Sequence, residues 1–254
     1  MAELGFLVLG IAAGILSGLF GIGGGIVMVP SLIVFFGMDI LDANATSLAA
    51  MLLPVGILGV IAYYKAGLIN VRDSLLIAAG LFLGSFAGGE LAVNINESAL
   101  SYLYAIILFY IAFNYLDAAS WFRKGPKPVR EHVAVTRPIW AYLLVGAGAG
   151  VFAGLFGKGG GIVIVPLLIA FFQYEPKKAA ATSLAALQLP VGLPSVIIYA
   201  QNGHLNLLFA AFIAVGIVFG ALVGSKLGVK LPSAVFKKVF GVFLIFVAVY
   251  MVVK

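Results

Sequence analysis

Apolar residues run along this chain in blocks at about 5 to 36, 44 to 66, 74 to 92 and 98 to 118, and again at 139 to 172, 180 to 201, 207 to 226 and 234 to 253. A polar, basic, proline-bearing stretch, 119 to 138, separates the two sets. Most blocks are near the roughly 20 residues that carry a helix across the hydrocarbon core. The first block of each set is too long for one ordinary span and is interrupted halfway by glycines. Gly21, Gly23, Gly24 and Gly25 in the first set each cost a helix about 1 kcal/mol relative to alanine, and Pro30 beyond them removes a backbone donor. A helical hairpin that turns inside the membrane fits this pattern better than a single long helix.

The two sets are copies. Residues 14 to 36 and 150 to 172 match at 16 of 23 positions with an offset of 136, and the same offset carries 43 to 56 onto 179 to 192 with 11 of 14 identities and no insertion between. The pattern predicts an all-α integral membrane protein of two inverted repeats, each a glycine-tipped re-entrant hairpin followed by three transmembrane helices. The first repeat is 1–118 (hairpin 5–36, helices 44–66, 74–92, 98–118) and 119–138 is a basic linker. The second repeat is 139–254 (hairpin 139–172, helices 180–201, 207–226, 234–253).

Composition agrees: 63% of the 254 residues are hydrophobic and 9% charged, against about 25% charged in soluble domains. The formal charge of +6 is clustered in loops and reads as an orientation signal, not as a nucleic-acid surface. Glu3 stands where a signal peptide carries positive charge, so the N-terminus is expected to be mature chain. The absence of cysteine removes thiolate chemistry and cysteine-held metals, and no metal or cofactor is expected.

Basic residues separate two topologies. Eight alternating spans distribute them almost evenly between the two sides. If each first block instead returns to the side it came from, the loops 65–73, 119–138, 174–179 and 226–238 share one side and hold 13 of the 15 Lys and Arg residues. Short cytoplasmic loops accumulate such residues, which predicts a cytoplasmic (inner) membrane protein with both termini outside. Three crossings per half invert the repeats, an arrangement secondary transporters use for alternating access.

Gly10, Gly14, Gly18, Gly80, Gly84 and Gly88, with their copies at 146 to 154 and 216 to 224, recur every four residues and read as helix-contact faces. The tip glycines have two readings. Gly21, Gly23, Gly24, Gly25 and Gly157, Gly159, Gly160, Gly161 either only permit a tight turn or expose backbone N–H groups that bind an anion at the positive end of the following helix. Lys158, which replaces Ile22 of the first copy, either neutralises that anion or snorkels to water. Thr46, Ser47, Thr182 and Ser183 either cap the second helix of each half or line the path. Gln188, in place of Leu52, adds a polar group to the second half. Pro30, Pro54, Pro166 and Pro190 are expected to break or kink their helices. Tyr63 and Tyr199 read as interfacial anchors and Asn70 and Asn206 as turn residues. Glu90 is the one acidic residue well inside an apolar run and is the candidate for proton coupling.

The doubled GLFGxGGGxxxxP segment, each copy followed by ATSLAA and a proline-glycine pair, resembles the TauE/SafE family of sulfite exporter-like permeases over essentially the whole chain. The resemblance implies a secondary transporter of small anions, sulfite, organosulfonates or related sulfur oxyanions, with proton coupling. The family motif falls on Gly21, Gly23, Gly24, Gly25, Pro30 and on Gly157, Gly159, Gly160, Gly161, Pro166, and Lys158 occupies a variable position within it. The expected partners are a small anionic substrate, the lipid bilayer, a proton and, in a homodimer, a second copy of the chain, with no nucleic acid. A passive anion channel or a small-carboxylate carrier is the alternative. A membrane enzyme would need clustered carboxylates or histidines at depth, and the two histidines, His132 and His204, stand in the linker and a loop.

Overall fold

The computed structural model describes residues 2–20, 23–54, 56–96, 98–100, 102, 103, 105, 106, 109, 137–157, 160–228, 245 and 249. The chain divides into two compact units, Met1–Asn94 with His132–Val229, and Ile95–Glu131 with Lys230–Lys254. In the smaller unit the described residues from 98 onward are helical, and the Ser98 N–H donates to Asn96 Oδ1 at 2.8 Å. The expected helices 98–118 and 234–253 and the linker 119–138 otherwise lie outside the described residues.

Among the described residues the larger unit is wholly helical. Its first half holds α1 (Ala2–Phe20), α2 (Gly25–Phe36), α3 (Ile40–Ala50), α4 (Ile57–Lys65) and α5 (Val71–Asn94). Its second half holds α6 (Ile139–Phe156), α7 (Gly161–Phe171), α8 (Pro176–Ala186), α9 (Leu193–Gln201) and α10 (Leu207–Gly228). Among the described residues three helices, Val71–Asn94, Ile139–Phe156 and the Leu207–Gly224 part of α10, are long and apolar enough to cross a membrane.

Each long first block is two helices divided at its glycines. Gly23, Gly157 and Gly160 take left-handed φ of 71°, 62° and 60°, which only glycine adopts without strain. The expected second helices, 44–66 and 180–201, are also two each, interrupted at 51–56 and 187–192. Pro54 and Pro190 stand in these interruptions, because a residue before proline avoids the α region and helices stop there. Pro30 and Pro166, expected as breaks, instead lie inside α2 and α7. Each removes one N–H from its helix but leaves the turn intact, and the glycines five or six residues earlier make the break.

The base of each pair closes on itself. Phe6 on α1 stacks on Phe36 at the end of α2, with ring centroids 4.3 Å apart, and on Phe209 of α10 at 4.4 Å. In the second half, Tyr142 of α6 lies 4.6 Å from Phe172 just after α7, and the Arg137 guanidinium donates to Phe171 O at 3.3 and 3.2 Å.

The two halves then exchange partners: α1 packs along α10 and α6 along α5. A Cβ on Gly10 would lie 3.0 Å from Gly216 Cα, and one on Gly146, its copy, 3.0 Å from Gly80 Cα. A Cβ on Gly84 would fall 2.8 Å from Ala147 C, and one on Gly220 2.9 Å from Ile11 C. These stripes are helix-contact faces in which backbone touches backbone, so dispersion contacts accumulate where lipid offers no hydrophobic drive. Gly84→Ala is expected to destabilise by about 1–3 kcal/mol through overpacking against a backbone that cannot retreat, read as a lower melting temperature in detergent. Gly148→Ala, whose Cβ would meet nothing within 4 Å, is expected to leave that temperature unchanged or raise it.

Candidate functional site

Two helices begin inside the larger unit with nothing but glycine at their caps. Gly24 precedes α2 and Gly160 precedes α7, and neither can offer a side-chain acceptor to the first N–H groups. Their own carbonyls accept the first helical bonds, from Val27 N–H at 3.0 Å and from Val163 N–H at 2.9 Å. Gly23, Gly24, Gly25, Gly157, Gly160 and Gly161 are all buried. The positive ends of two helix dipoles are thus brought into the interior. Gly21, Lys158 and Gly159, also expected at these tips, lie outside the described residues.

The carbonyl ends that meet these breaks are held by side chains, some from the opposite half and some from the same one. In the second half, Asn44 Nδ2 of α3 donates to Leu155 O at 2.9 Å and Ser47 Oγ donates to Gly157 O at 2.7 Å. Tyr199 OH donates to Gly154 O at 2.8 Å, so three side chains serve the last carbonyls of α6. Tyr63 OH repeats the Tyr199 bond in the first half, reaching Gly18 O at 3.3 Å. A Cβ on Gly157 would lie 2.8 Å from Asn44 Oδ1, a second reason for glycine there besides its φ. Asn44 Oδ1 and Thr46 Oγ1 are buried and have no hydrogen-bond partner among the described residues.

Gln188 joins two interruptions. Its Oε1 accepts from Gly56 N–H, which opens α4, at 2.9 Å, and its Nε2 donates to Leu184 O at 2.9 Å. Both polar ends of this candidate substrate ligand are engaged within the protein. Thr182 lies within α8, where its Oγ1 accepts from Asn70 N–H at 3.4 Å and its backbone carbonyl accepts from Ser74 Oγ at 3.0 Å. Thr46, Ser47, Thr182 and Ser183 are all fully buried inside α3 and α8, away from the helix starts. Glu90 is exposed on α5, with Asn94 Nδ2 bonded to its backbone carbonyl at 2.7 Å. Asn70 and Asn206 accept N–H groups of the first turns of α5 and α10, as Asp73 N at 3.2 Å and Leu208 N at 3.1 Å.

The interruptions border a cavity of about 10 Å³ among Leu48, Met51, Leu81, Leu187 and Gly192. That is at most one water molecule, in an apolar lining. Sequence reasoning put Tyr63 and Tyr199 at the membrane interface, yet both are buried, 7% and 0% exposed. Their survival at the same offset as Gly18 and Gly154 was the signal that each tyrosine serves a helix end.

A chain whose described residues form only helices, with long apolar helices, paired helix breaks and interior helix N-termini, is a multi-pass membrane protein built like a transporter. Comparison with known proteins agrees. The family described as "Sulfite exporter TauE/SafE" matches residues 6–251. The chain belongs to that family and is a membrane transporter. "Probable membrane transporter protein YunE" of Bacillus subtilis is 26% identical over 248 residues, covering 89% of each chain. "Probable membrane transporter protein MJ0441" of Methanocaldococcus jannaschii is 31% identical over 246 residues, covering 91% of this chain and 87% of its own. A "Probable membrane transporter protein" of Haemophilus influenzae is 28% identical over 269 residues, covering 98% and 97%. No solved structure matches the chain.

If Gln188 works chiefly as a brace, Gln188→Leu, the residue of the first copy, leaves the buried Gly56 N–H unpaired at a cost of about 1–3 kcal/mol. The expected result is a lower melting temperature in detergent with little change in substrate KM. A raised KM at unchanged melting temperature would make it a substrate ligand.

Proposed function

We propose that this transporter is a secondary carrier of small anions, sulfite or organosulfonates first, working by alternating access of two inverted halves about a site at the glycine tips. The observation that carries the reading is the pair of buried helix N-termini at Gly24 and Gly160, each capped by glycine alone. Backbone N–H groups and a helix dipole bind oxyanions without a dedicated side chain. Lys158, beside the second tip in sequence, adds the one cation, and Thr46 and Asn44 supply unpartnered polar atoms nearby in α3.

Inversion of the repeats is supported by the grouping of the loops. Asn70, Arg137, Phe172 and Tyr174 gather at the base of the second hairpin, whereas Phe6, Phe36 and Phe209 gather at the base of the first. The reciprocal glycine contacts support a two-fold relation between the halves. The basic loops then face the cytoplasm, and each glycine hairpin enters and leaves the cytoplasmic membrane on one face.

The test is uptake of labelled sulfite and sulfoacetate into proteoliposomes. Saturable flux accelerated by the same anion on the far side is expected. Lys158→Ala should raise KM about tenfold, the equivalent of roughly 1.4 kcal/mol, and Gly24→Ala with Gly160→Ala should lower flux further. Flux that never saturates would make the protein a channel, and saturable flux indifferent to all three changes would move the site away from the tips.

A further inference from the structure

The bases of the two hairpins are built from matching segments that differ in charge. Arg72, Arg137, Lys177 and Lys178 stand at the base of the second hairpin. The offset of 136 puts Leu208, Met1, Leu41 and Asp42 at the same places of the first, so four cations answer to three neutral residues and an acid. Two acids, Asp73 and Glu175, share the second base with them.

A buried knot draws these cations together. Asp73, 5% exposed, accepts from Tyr174 OH, which in turn accepts from Asn70 Nδ2 at 3.3 Å. Tyr142 lies against Phe172, with ring centroids 4.6 Å apart. The starts of α5 and α6 and the turn between α7 and α8 are thereby tied to one another, and each brings at least one basic side chain to the same place.

An orientation signal needs only that Lys and Arg lie in a loop, not that they be held still. Here two of them are held. Arg137 Nε and Nη2 donate to Phe171 O at 3.3 and 3.2 Å, which fixes an exposed guanidinium that has further N–H donors to offer. Lys178 Nζ lies 5.3 Å from the centroid of the Tyr174 ring. Among the described residues neither pairs with a carboxylate. Gln173 is exposed between them in a left-handed conformation, φ 55°, at the position where the first copy has Gly37 at 67°. Glutamine is strained there and glycine is not, and its amide is one more donor beside the cations.

The surface next to these groups is apolar. Phe171 is 61% exposed, Trp140, one turn on from Arg137, is 62% exposed, and Leu75, one turn on from Arg72, is 55% exposed. Held cations that suit a phosphate, beside a ledge that suits acyl chains, match an anionic phospholipid. A soluble oxyanion would need the cations but not the ledge.

We propose that the base of the second hairpin is a binding site for the phosphate headgroup of an anionic phospholipid, phosphatidylglycerol being the simplest. Arg137 and Lys178 grip the phosphate, Arg72, Lys177 and Gln173 surround it, and Trp140 and Phe171 lie along the chains. The site goes beyond the carrier reading and does not depend on which anion is carried. A lipid held there bridges α5, α6 and α8, so its binding stabilises the folded chain.

The test is thermal unfolding of the whole chain in a neutral detergent. The protein is titrated with short-chain phosphatidylglycerol, with phosphatidylcholine of the same chain length, and with inorganic phosphate or sulfite alone. Phosphatidylglycerol should raise the melting temperature saturably, and the other three should not reproduce that rise. Arg137→Gln and Lys178→Gln should each weaken the lipid affinity about fivefold. Lys226→Gln, which removes the same charge from the exposed end of α10, should leave it unchanged. Gln173→Gly should raise the melting temperature without lipid and still bind phosphatidylglycerol less tightly. Phosphatidylglycerol retained in native mass spectrometry reads binding directly where a variant is already destabilised. An equal response to phosphatidylcholine, or equal weakening in Lys226→Gln, overturns the site. A shift produced by phosphate or sulfite alone and lost in Lys178→Gln would make the cluster a mouth for soluble anions, and would overturn it as a lipid site.

Discussion

Every broken helix in this protein leaves backbone N–H and C=O groups where there is no bulk water to satisfy them, and this requirement organises the interior. In hydrocarbon each unsatisfied group costs several kcal/mol, so irregular backbone survives only where protein, trapped water or a ligand completes it. The carbonyl ends are completed by Asn44, Ser47 and Tyr199. The N–H end at Gly56 is completed by Gln188. The ends at Gly24 and Gly160 have no side chain of their own to do so. On the proposed reading stability and binding are linked, because the groups offered to the ligand are those that no side chain of the described residues covers.

The bracing works because the two halves are interleaved. Stripes of glycine bring α1 against α10 and α6 against α5 at backbone distance, so each half packs its hairpin helix on the last described helix of the other. That carries α3 of the first half to the tip of the second, where Asn44 and Ser47 find their carbonyls. Without close helix approach, the same side chains would be too far away to serve.

Much of this was legible in the chain because duplication displays each feature twice. The glycine period of four marked the packing faces, and the paired GGG marked the breaks, since few other arrangements use four near-consecutive glycines in an apolar run. What periodicity could not show was which carbonyl each polar side chain would reach. Tyr63 and Tyr199 look like interface residues in sequence because tyrosine is common there, and only the fold shows them turned inward to Gly18 and Gly154. Pro30 and Pro166 were misleading for a related reason: a helix can lose one donor within a turn, whereas a left-handed glycine ends it.

The central claim is that the halves are inverted about the membrane plane, because opposed tips and alternating access both depend on it. Ala66 and Asn202 occupy the same place in the two copies, both exposed at the end of the helix that precedes the turn into the long apolar span. The chain has no native cysteine, so Ala66→Cys and Asn202→Cys can each be probed alone with a membrane-impermeant maleimide in intact cells and in inverted vesicles. Inverted repeats require Ala66→Cys to react from the cytoplasmic face only and Asn202→Cys from the outer face only. Reaction of both from the same face would mean parallel repeats and would contradict the account.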